Sequence, residues 1–308
     1  MRHGGKILSD QLEKLGVRRV FSVPGESFLA ALDGLYDSGI TNIVCRQEGG
    51  AAMMAEAYGK MTGEVGVCFV TRGPGACNAS AGVHIAMQDS TPMVLFVGQI
   101  DNRQTDRETF QEVDYRAMFG GLAKWVAQVD HTERLPEYIA RAFRVAKSGR
   151  PGPVVLALPE NMLSASADVP DFSGTVAHSA GRVGPDVLAR LMAAERPMIV
   201  VGGPHWNVAA ASSLERLAQI TGAPVVTSFR RQDYIDNRHS HFAGDLNVGV
   251  NPKLAQRVRD ADCLLLIGTR FGDIETQGYT LVDPADPQKT IVHIHADANE
   301  IGRVYGAD

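Results

Sequence analysis

Glu48 sits where a short apolar stretch, Asn42 to Cys45, gives way to Gly49-Gly50-Ala51-Ala52 and a run of helical character. Two glycines and two alanines leave almost no side-chain bulk on the first turn of that helix, so something flat can approach the carboxyl group closely. A second corner follows at Thr71-Arg72-Gly73-Pro74-Gly75-Ala76-Cys77-Asn78, again between an apolar strand pattern and a helical one. A carboxylate and a Gly-Pro-Gly turn, both at strand-to-helix corners of one sheet, make a site. The ordinary reading of Glu48 stands beside this one: an acidic residue near a helix start, favoured there by the macrodipole.

The elements that must position these residues are legible on both sides of them. Ile7, Leu8, Leu12 and Leu15 recur at helical spacing, with Gly16 as the stop. Arg19 to Val23 reads as a strand closed by Pro24-Gly25, and Phe28 to Tyr36 as a helix with Ser27 as candidate cap. Asn42 to Cys45, Val65 to Val70 and Met93 to Val97 are strands; Gly49 to Met61 and Ala76 to Met87 are the helices between them, and Gly98 closes the last strand. A helix from Glu133 to Lys147 and a strand from Pro153 to Leu158 complete the segment. Short, uniformly apolar strands alternating with helices predict a parallel sheet buried on both faces. Ligands of such sheets bind outside the carboxyl ends of the strands. Pro24-Gly25, Glu48, the Gly73 turn and Gly98 all follow strand ends, so they are expected on one edge.

The pattern breaks down after Leu163, where Ser, Ala, Asp, Gly and Pro dominate. The expected organisation is a first domain over 1–163, a linker over 164–183 and a second domain over 184–308. The second opens with a helix from Pro185 to Ala194, Pro185 being suited to a first turn. Strands are expected at Met198 to Val201, Pro224 to Thr227, Cys263 to Ile267 and Thr290 to Ile294, with helices at Ala209 to Ile220 and Pro252 to Arg259. The fold class is α/β: two doubly wound domains with mainly parallel sheets.

Bulk properties exclude several function classes. The chain has 308 residues, 44% of them hydrophobic, and 30 Lys+Arg against 35 Asp+Glu give a net charge of −5. That balance argues against a nucleic-acid surface. The apolar runs are strand-length, well short of the roughly 18 residues of a membrane span. Met1-Arg2-His3-Gly4-Gly5-Lys6 lacks the apolar stretch of a signal peptide. Cys45, Cys68, Cys77 and Cys263 show no CxxC spacing and lie in or beside apolar segments, as buried thiols of a reducing compartment do. A cytoplasmic location is expected. The histidines do not cluster with carboxylates as ligands would; His239 and His241 share a polar loop with Asn237, Arg238 and Asp245, and no metal is expected there.

The run Arg46-Gln47-Glu48-Gly49-Gly50-Ala51-Ala52, continuing to Ala55-Glu56-Ala57-Tyr58, together with the Gly73 turn, resembles the pyrimidine-binding domain of the thiamine diphosphate enzymes, in the acetolactate synthase group. The resemblance implies a thiamine-diphosphate-binding fold followed by a Rossmann-like central domain. It also implies a catalytic role for Glu48. In that family a carboxyl hydrogen-bonded to the pyrimidine nitrogen favours the imino form that deprotonates the thiazolium, and shielding from water raises its pKa and strengthens the bond. Pro24-Gly25-Glu26 would lie over the cofactor's reactive end. Thr71-Arg72-Gly73-Pro74-Gly75 is similar to the family's Thr-Ser-Gly-Pro-Gly, with Asn78 following on the helix. Arg72 departs from the small hydroxyl residue usual there; a guanidinium at the pocket mouth either binds a substrate carboxylate or reaches solvent. Thr109-Phe110-Gln111-Glu112-Val113-Asp114 is similar to Ala-Phe-Gln-Glu-x-Asp, whose Phe and Gln come near the substrate, the alternative being a surface loop entering a helix. The paired histidines of the decarboxylase branch are absent from this region, which favours a carboligating synthase.

The second domain resembles the family's central domain at Gly202-Gly203-Pro204, Gly268-Thr269-Arg270-Phe271-Gly272-Asp273 and His293-Ile294-His295-Ala296-Asp297. That domain holds FAD or an ADP-like nucleotide in some members and is empty in others. Gly202, Gly203, Arg270 and Asp297 are the candidate nucleotide contacts, although any strand-to-helix turn needs such glycines. The family's third domain binds the diphosphate through a divalent metal, Mg, on a Gly-Asp-Gly…Asn-Asn signature. Gly244-Asp245-Leu246 and Gly272-Asp273-Ile274 lack it, so the expectation is a fragment, or a chain whose diphosphate domain is separate, inactive by itself. The implied reaction of the complete enzyme, expected as a homodimer or homotetramer, is decarboxylation of a 2-keto acid and transfer of the resulting enamine to a second carbonyl. The rivals are family members acting on oxalyl, glyoxylate, sulfoacetaldehyde or benzoylformate substrates, and a non-catalytic nucleotide-binding or assembly module.

Overall fold

The structure is a computed structural model that describes residues 1–172 and 183–307. The chain divides into two compact units, Met1–His178 and Ser179–Asp308.

In the first unit the elements run β1 (Arg2–His3), α1 (Gly4–Lys14), β2 (Arg19–Ser22), α2 (Leu29–Tyr36), β3 (Thr41–Val44), α3 (Glu48–Thr62), β4 (Gly66–Val70), α4 (Pro74–Asp89), β5 (Met93–Gln99), α5 (Tyr115–Phe119), β6 (Trp125–Gln128), α6 (Leu135–Lys147), β7 (Pro153–Pro159), α7 (Glu160–Ser164) and β8 (Ser166–Ala167). Six strands pair in parallel in the order β3-β2-β4-β5-β7-β6. β4, β5 and β7 are buried at every position, as uniformly apolar central strands must be. Their residues alternate between two cores. Phe69, Phe96 and Leu156 face a cluster built with α1 and α6, while Cys68, Leu95 and Val155 face one built with α3 and α4. Phe28, Phe69 and Phe96 stack in series at 6.0 and 4.7 Å.

Several local details differ from the sequence expectation. Ser27 does not cap α2; it lies in a 3-10 turn, Glu26–Phe28, and its hydroxyl bonds Thr71 Oγ1 at 2.9 Å instead. Gly98 does not end its strand, because β5 continues to Gln99; a Cβ at Gly98 would come within 2.0 Å of Ser27 Oγ, so the glycine admits that turn. β6 and α5 follow the polar loop after β5 and were hidden by their mixed burial. Within the stretch expected as a linker, β8 pairs antiparallel with β1, and 173–182 lie outside the described residues.

The second unit comprises α8 (Asp186–Ala193), β9 (Pro197–Val201), α9 (Val208–Thr221), β10 (Val225–Ser228), β11 (Phe242–Leu246), α10 (Pro252–Asp260), β12 (Cys263–Ile267) and β13 (Thr290–Ile294). Its sheet is again wholly parallel, in the order β11-β10-β9-β12-β13. Pro185 stands at the N-cap of α8. Among the described residues no helix is long and apolar enough to cross a membrane.

Candidate active site

Glu48 is the first residue of α3, after Gln47 in extended backbone whose side chain accepts from the Gly50 amide at 2.9 Å. The cap fixes where α3 begins and therefore where the carboxyl emerges. Glu48 is half-buried, and its Oε2 accepts a hydrogen bond from the Asn78 side-chain amide on α4 at 2.9 Å. α3 and α4 lie close because the contact is built from small residues: a Cβ on Gly82 would meet Ala52 Cβ at 2.5 Å, and one on Gly49 would meet the Asn78 carbonyl at 3.1 Å. A Cβ on Gly50 would meet nothing within 4 Å, and one on Gly75 would lie 3.5 Å from Glu48 Oε1. The carboxyl thus has one side held by Asn78 and another bordered by the bare backbone of Gly75. No ion pair among the described residues engages Glu48. Behind it, burial above all, then the neighbouring Cys45 and Glu48, pushes the Cys68 thiol far up, so it stays protonated and inert.

The other corners converge on the same sheet edge. Pro24 and Gly25 follow β2, and a Cβ on Gly25 would meet Thr71 Cβ at 2.5 Å, so this turn packs directly on the one after β4. Gly73, the N-cap of α4, has φ of 56°, a left-handed value that favours glycine, and a Cβ there would meet Gln111 Cβ at 2.9 Å. Pro74 takes the first helical position. The Gly73 amide donates to Tyr115 Oη at 2.8 Å, and burial raises the Tyr115 hydroxyl to about 12, so the ring is a neutral support for the turn.

Arg72 is buried and does not reach solvent. Its side chain is 8% exposed; it pairs with Glu26 at 2.5 Å and Glu160 at 3.4 Å, and donates to the Phe110 carbonyl at 3.2 Å. Phe110 is 72% exposed, while Gln111, at φ of 66°, packs against Gly73. Glu160 and Tyr115 were missed in the sequence. Glu160 directly follows β7, so the carboxyl-end rule that selected Glu48 would also have found it.

In the second unit Gly202 and Gly203 follow β9, and Gly268 follows β12. These glycines serve mutual packing: a Cβ on Gly203, at φ of 68°, would lie 1.9 Å from the Gly268 carbonyl. Trp206 Nε1 donates to the Gly202 carbonyl at 2.8 Å and Tyr234 Oη to the Gly203 carbonyl at 2.5 Å, with the two rings stacked at 4.9 Å. The corner is therefore covered by aromatic rings. Arg270 is exposed, and Asp297 is half-buried, accepting from the Asn299 amide at 3.0 Å. Beside Trp206, Leu214 and Ile294 lies a mostly apolar cavity of about 390 Å³, with His205 and His295 among its lining. His239 Nδ1 accepts from the His241 amide at 3.2 Å, and no cluster of three or more metal-ligating side chains occurs among the described residues.

Residues 2–118 match the family description "Thiamine pyrophosphate enzyme, N-terminal TPP binding domain", and residues 185–308 match its central domain. The chain is 32% identical to the "Probable acetolactate synthase large subunit" of Methanocaldococcus jannaschii over 318 residues, 99% of this chain and 53% of that protein. It is 32% identical to the "Acetolactate synthase isozyme 2 large subunit" of Escherichia coli K12 over 308 residues (98% and 55%), and 31% identical to that organism's isozyme 3 large subunit over 319 residues (100% and 55%). The chain spans about half the length of these curated relatives. Two consecutive domain matches, on units whose main sheets are both parallel, place the chain in the thiamine pyrophosphate enzyme family, as its N-terminal binding domain followed by its central domain.

Proposed function

We propose that this chain forms the cofactor-activating and central units of an enzyme that decarboxylates a 2-keto acid and joins the remaining fragment to a second carbonyl, as an acetolactate synthase-like transferase or lyase. The observation that carries the reading is the Glu48 carboxyl, oriented by Asn78 and with its other oxygen beside the bare backbone of Gly75. Thiamine diphosphate, when bound, supplies a nucleophilic carbon and an acceptor for the electrons left as carbon dioxide departs. Glu48 would hold a proton toward the cofactor's ring nitrogen, Asn78 would keep the carboxyl turned for that role, and Gly25, Gly73, Gly75, Pro24, Pro74 and Thr71 would form the thin wall of the cofactor site. Phe110 and Gln111 border the substrate side. Arg72 is already neutralised by Glu26 and Glu160, so the substrate carboxylate finds its partner elsewhere.

Mg belongs with a diphosphate-binding domain rather than with these residues. FAD or ADP enters the reading in restricted form. The apolar cavity beside Trp206 and Leu214 suits a flat ring, whereas the Gly202–Gly203 corner is covered by Trp206 and Tyr234, so a diphosphate must run outside it, toward Arg270 or away from the sheet. A cytoplasmic homodimer or homotetramer with no nucleic-acid or membrane partner completes the proposal. Of the four cysteines expected as buried thiols, Cys68 and Cys263 are buried, whereas Cys45 is half-buried and Cys77 exposed.

The test is product analysis of the complete enzyme with thiamine diphosphate and Mg²⁺. Pyruvate, 2-oxobutanoate, glyoxylate, benzoylformate, sulfoacetaldehyde and oxalyl thioesters would be offered in turn. Carbon dioxide release coupled to a new carbon–carbon bond from a 2-keto acid is expected. Decarboxylation to a free aldehyde alone, or turnover confined to the oxalyl or sulfoacetaldehyde substrates, would move the chain to a rival branch. No turnover of any of them would favour the assembly module.

A further inference from the structure

We propose that Arg72 is a positioning residue that fastens the Phe110 loop to the ligand edge of the first unit; its catalytic consequence rests on the functional reading above. Arg72 follows β4, and its contacts go to segments following three other strands. Its Nη2 donates to Glu26 beyond β2, its Nε to the Phe110 carbonyl beyond β5, and its Nη1 to Glu160 beyond β7. These four strands are consecutive in the sheet, β2-β4-β5-β7, so one side chain staples four neighbouring strand ends. Its own backbone amide donates to Ser27 Oγ at 3.3 Å.

The stapled loop needs such a fastening. Asp106, Glu108 and Gln111 hold φ values of 65°, 56° and 66°, conformations that residues with side chains adopt only when their surroundings impose them. Glu112 accepts from the Asp106 and Thr109 amides at 2.8 and 3.1 Å, which shapes the loop internally without tying it to the sheet. Ties to the sheet edge include the Arg72–Phe110 bond, the Gln111 contact on Gly73, and Gln99 Nε2 donating to the Val113 carbonyl at 2.9 Å. Three divergent donors in a rigid plane make this arrangement specific to arginine. A lysine keeps the charge but offers a single nitrogen. The charge itself is spent on two carboxylates, so the role is to hold the loop rather than to receive a substrate anion.

The experiment compares wild type, Arg72→Lys and Glu160→Gln. Backbone hydrogen exchange over residues 105–112 and in α3 and α4 is measured on the full chain, and kcat and KM for the 2-keto acid on the complete enzyme. In Arg72→Lys the loop amides are expected to exchange about tenfold faster while α3 and α4 keep their protection. kcat/KM for the keto acid should fall on the order of 100-fold, as misplacement by about an ångström does, with the thiamine diphosphate requirement unchanged. Glu160→Gln, which turns one ion pair into a neutral hydrogen bond and leaves the arginine, should show a smaller change of the same kind and keeps the proposal testable should Arg72→Lys not fold. Loop exchange and kcat/KM equal to wild type in both variants would overturn it. A uniform rise in exchange across the whole unit would also overturn it, since that marks a general structural role. If wild type turns over no 2-keto acid, the functional reading fails, and the exchange data still decide the clamp.

Discussion

The side-chain amide of Asn78 on α4 donates to the carboxylate of Glu48, the first residue of α3, across 2.9 Å. The two residues belong to different strand-to-helix corners, 30 positions apart in sequence. The bond fixes the rotation of the carboxyl group and leaves its other oxygen beside Gly75.

Asn78→Ala therefore removes orientation without removing structure. Asn78 is exposed, so stability should change by no more than about 0.5 kcal/mol. kcat/KM of the complete enzyme should fall roughly tenfold, about 1.4 kcal/mol of lost placement. Parallel melting curves and steady-state kinetics check this; unchanged kinetics would show that Glu48 needs no partner.

Gly50 separates folding from binding. It lies on the first turn of α3, exposed, with nothing within 4 Å of its absent Cβ. Gly50→Leu should leave the fold intact or raise its stability by about 0.5 kcal/mol, because glycine is a poor helix former. It should weaken thiamine diphosphate binding by about tenfold or more if the ring approaches Glu48 over the bare first turn of α3, as proposed. Calorimetric titration of the complete enzyme measures the second effect.

Gly82 behaves in the opposite way. A Cβ there would sit 2.5 Å from Ala52 Cβ and 2.8 Å from the Ala52 carbonyl carbon. Gly82→Ala must push α3 from α4 and should cost about 1–3 kcal/mol of stability by denaturant unfolding. It should also stretch the Asn78–Glu48 bond.

The second unit should weaken in mild acid. Burial, above all, holds His293 below the usual histidine range, partly offset by its hydrogen bond with the Thr269 carbonyl at 2.9 Å. The unfolded chain then takes up a proton near pH 6.5 that the folded unit resists, so stability present above that pH is lost as the pH falls below it. Glu275 acts with the opposite sign. Burial raises its pKa, so its ionised form is a cost that protonation removes. Glu275→Gln should raise the melting temperature at about pH 7 and lose that advantage by about pH 4, below the unfolded pKa. His293→Gln should flatten the decline below about pH 6.5.

Much of the fold was legible because β4, β5, β7 and β12 are short apolar runs between helical patterns, which only a doubly covered parallel sheet accommodates. The Glu48 corner was legible for a related reason: its small residues follow the carboxylate directly in sequence. Arg72 was not. Its partners Glu26 and Glu160 lie 46 and 88 positions away, and no local pattern announces a contact made across four strand ends. Ser27 misled for the same reason, since a serine before a helix looks like a cap until Thr71 takes its hydroxyl. β6 and β11 escaped because their residues are only partly buried and interleave with polar ones. The second unit's glycines suggested a phosphate cradle, yet the side chains that cover them, Trp206 and Tyr234, come from loops beyond any strand signal.

The most direct test is turnover by Glu48→Gln in the complete enzyme, measured beside its melting temperature. Glutamine preserves the shape and the bond with Asn78 but cannot exchange a proton with the cofactor ring. A fall of about 100-fold or more in kcat at unchanged stability is the predicted result, in line with removal of a general acid–base group. Near-normal kcat would contradict the assignment of Glu48 as the activating carboxyl.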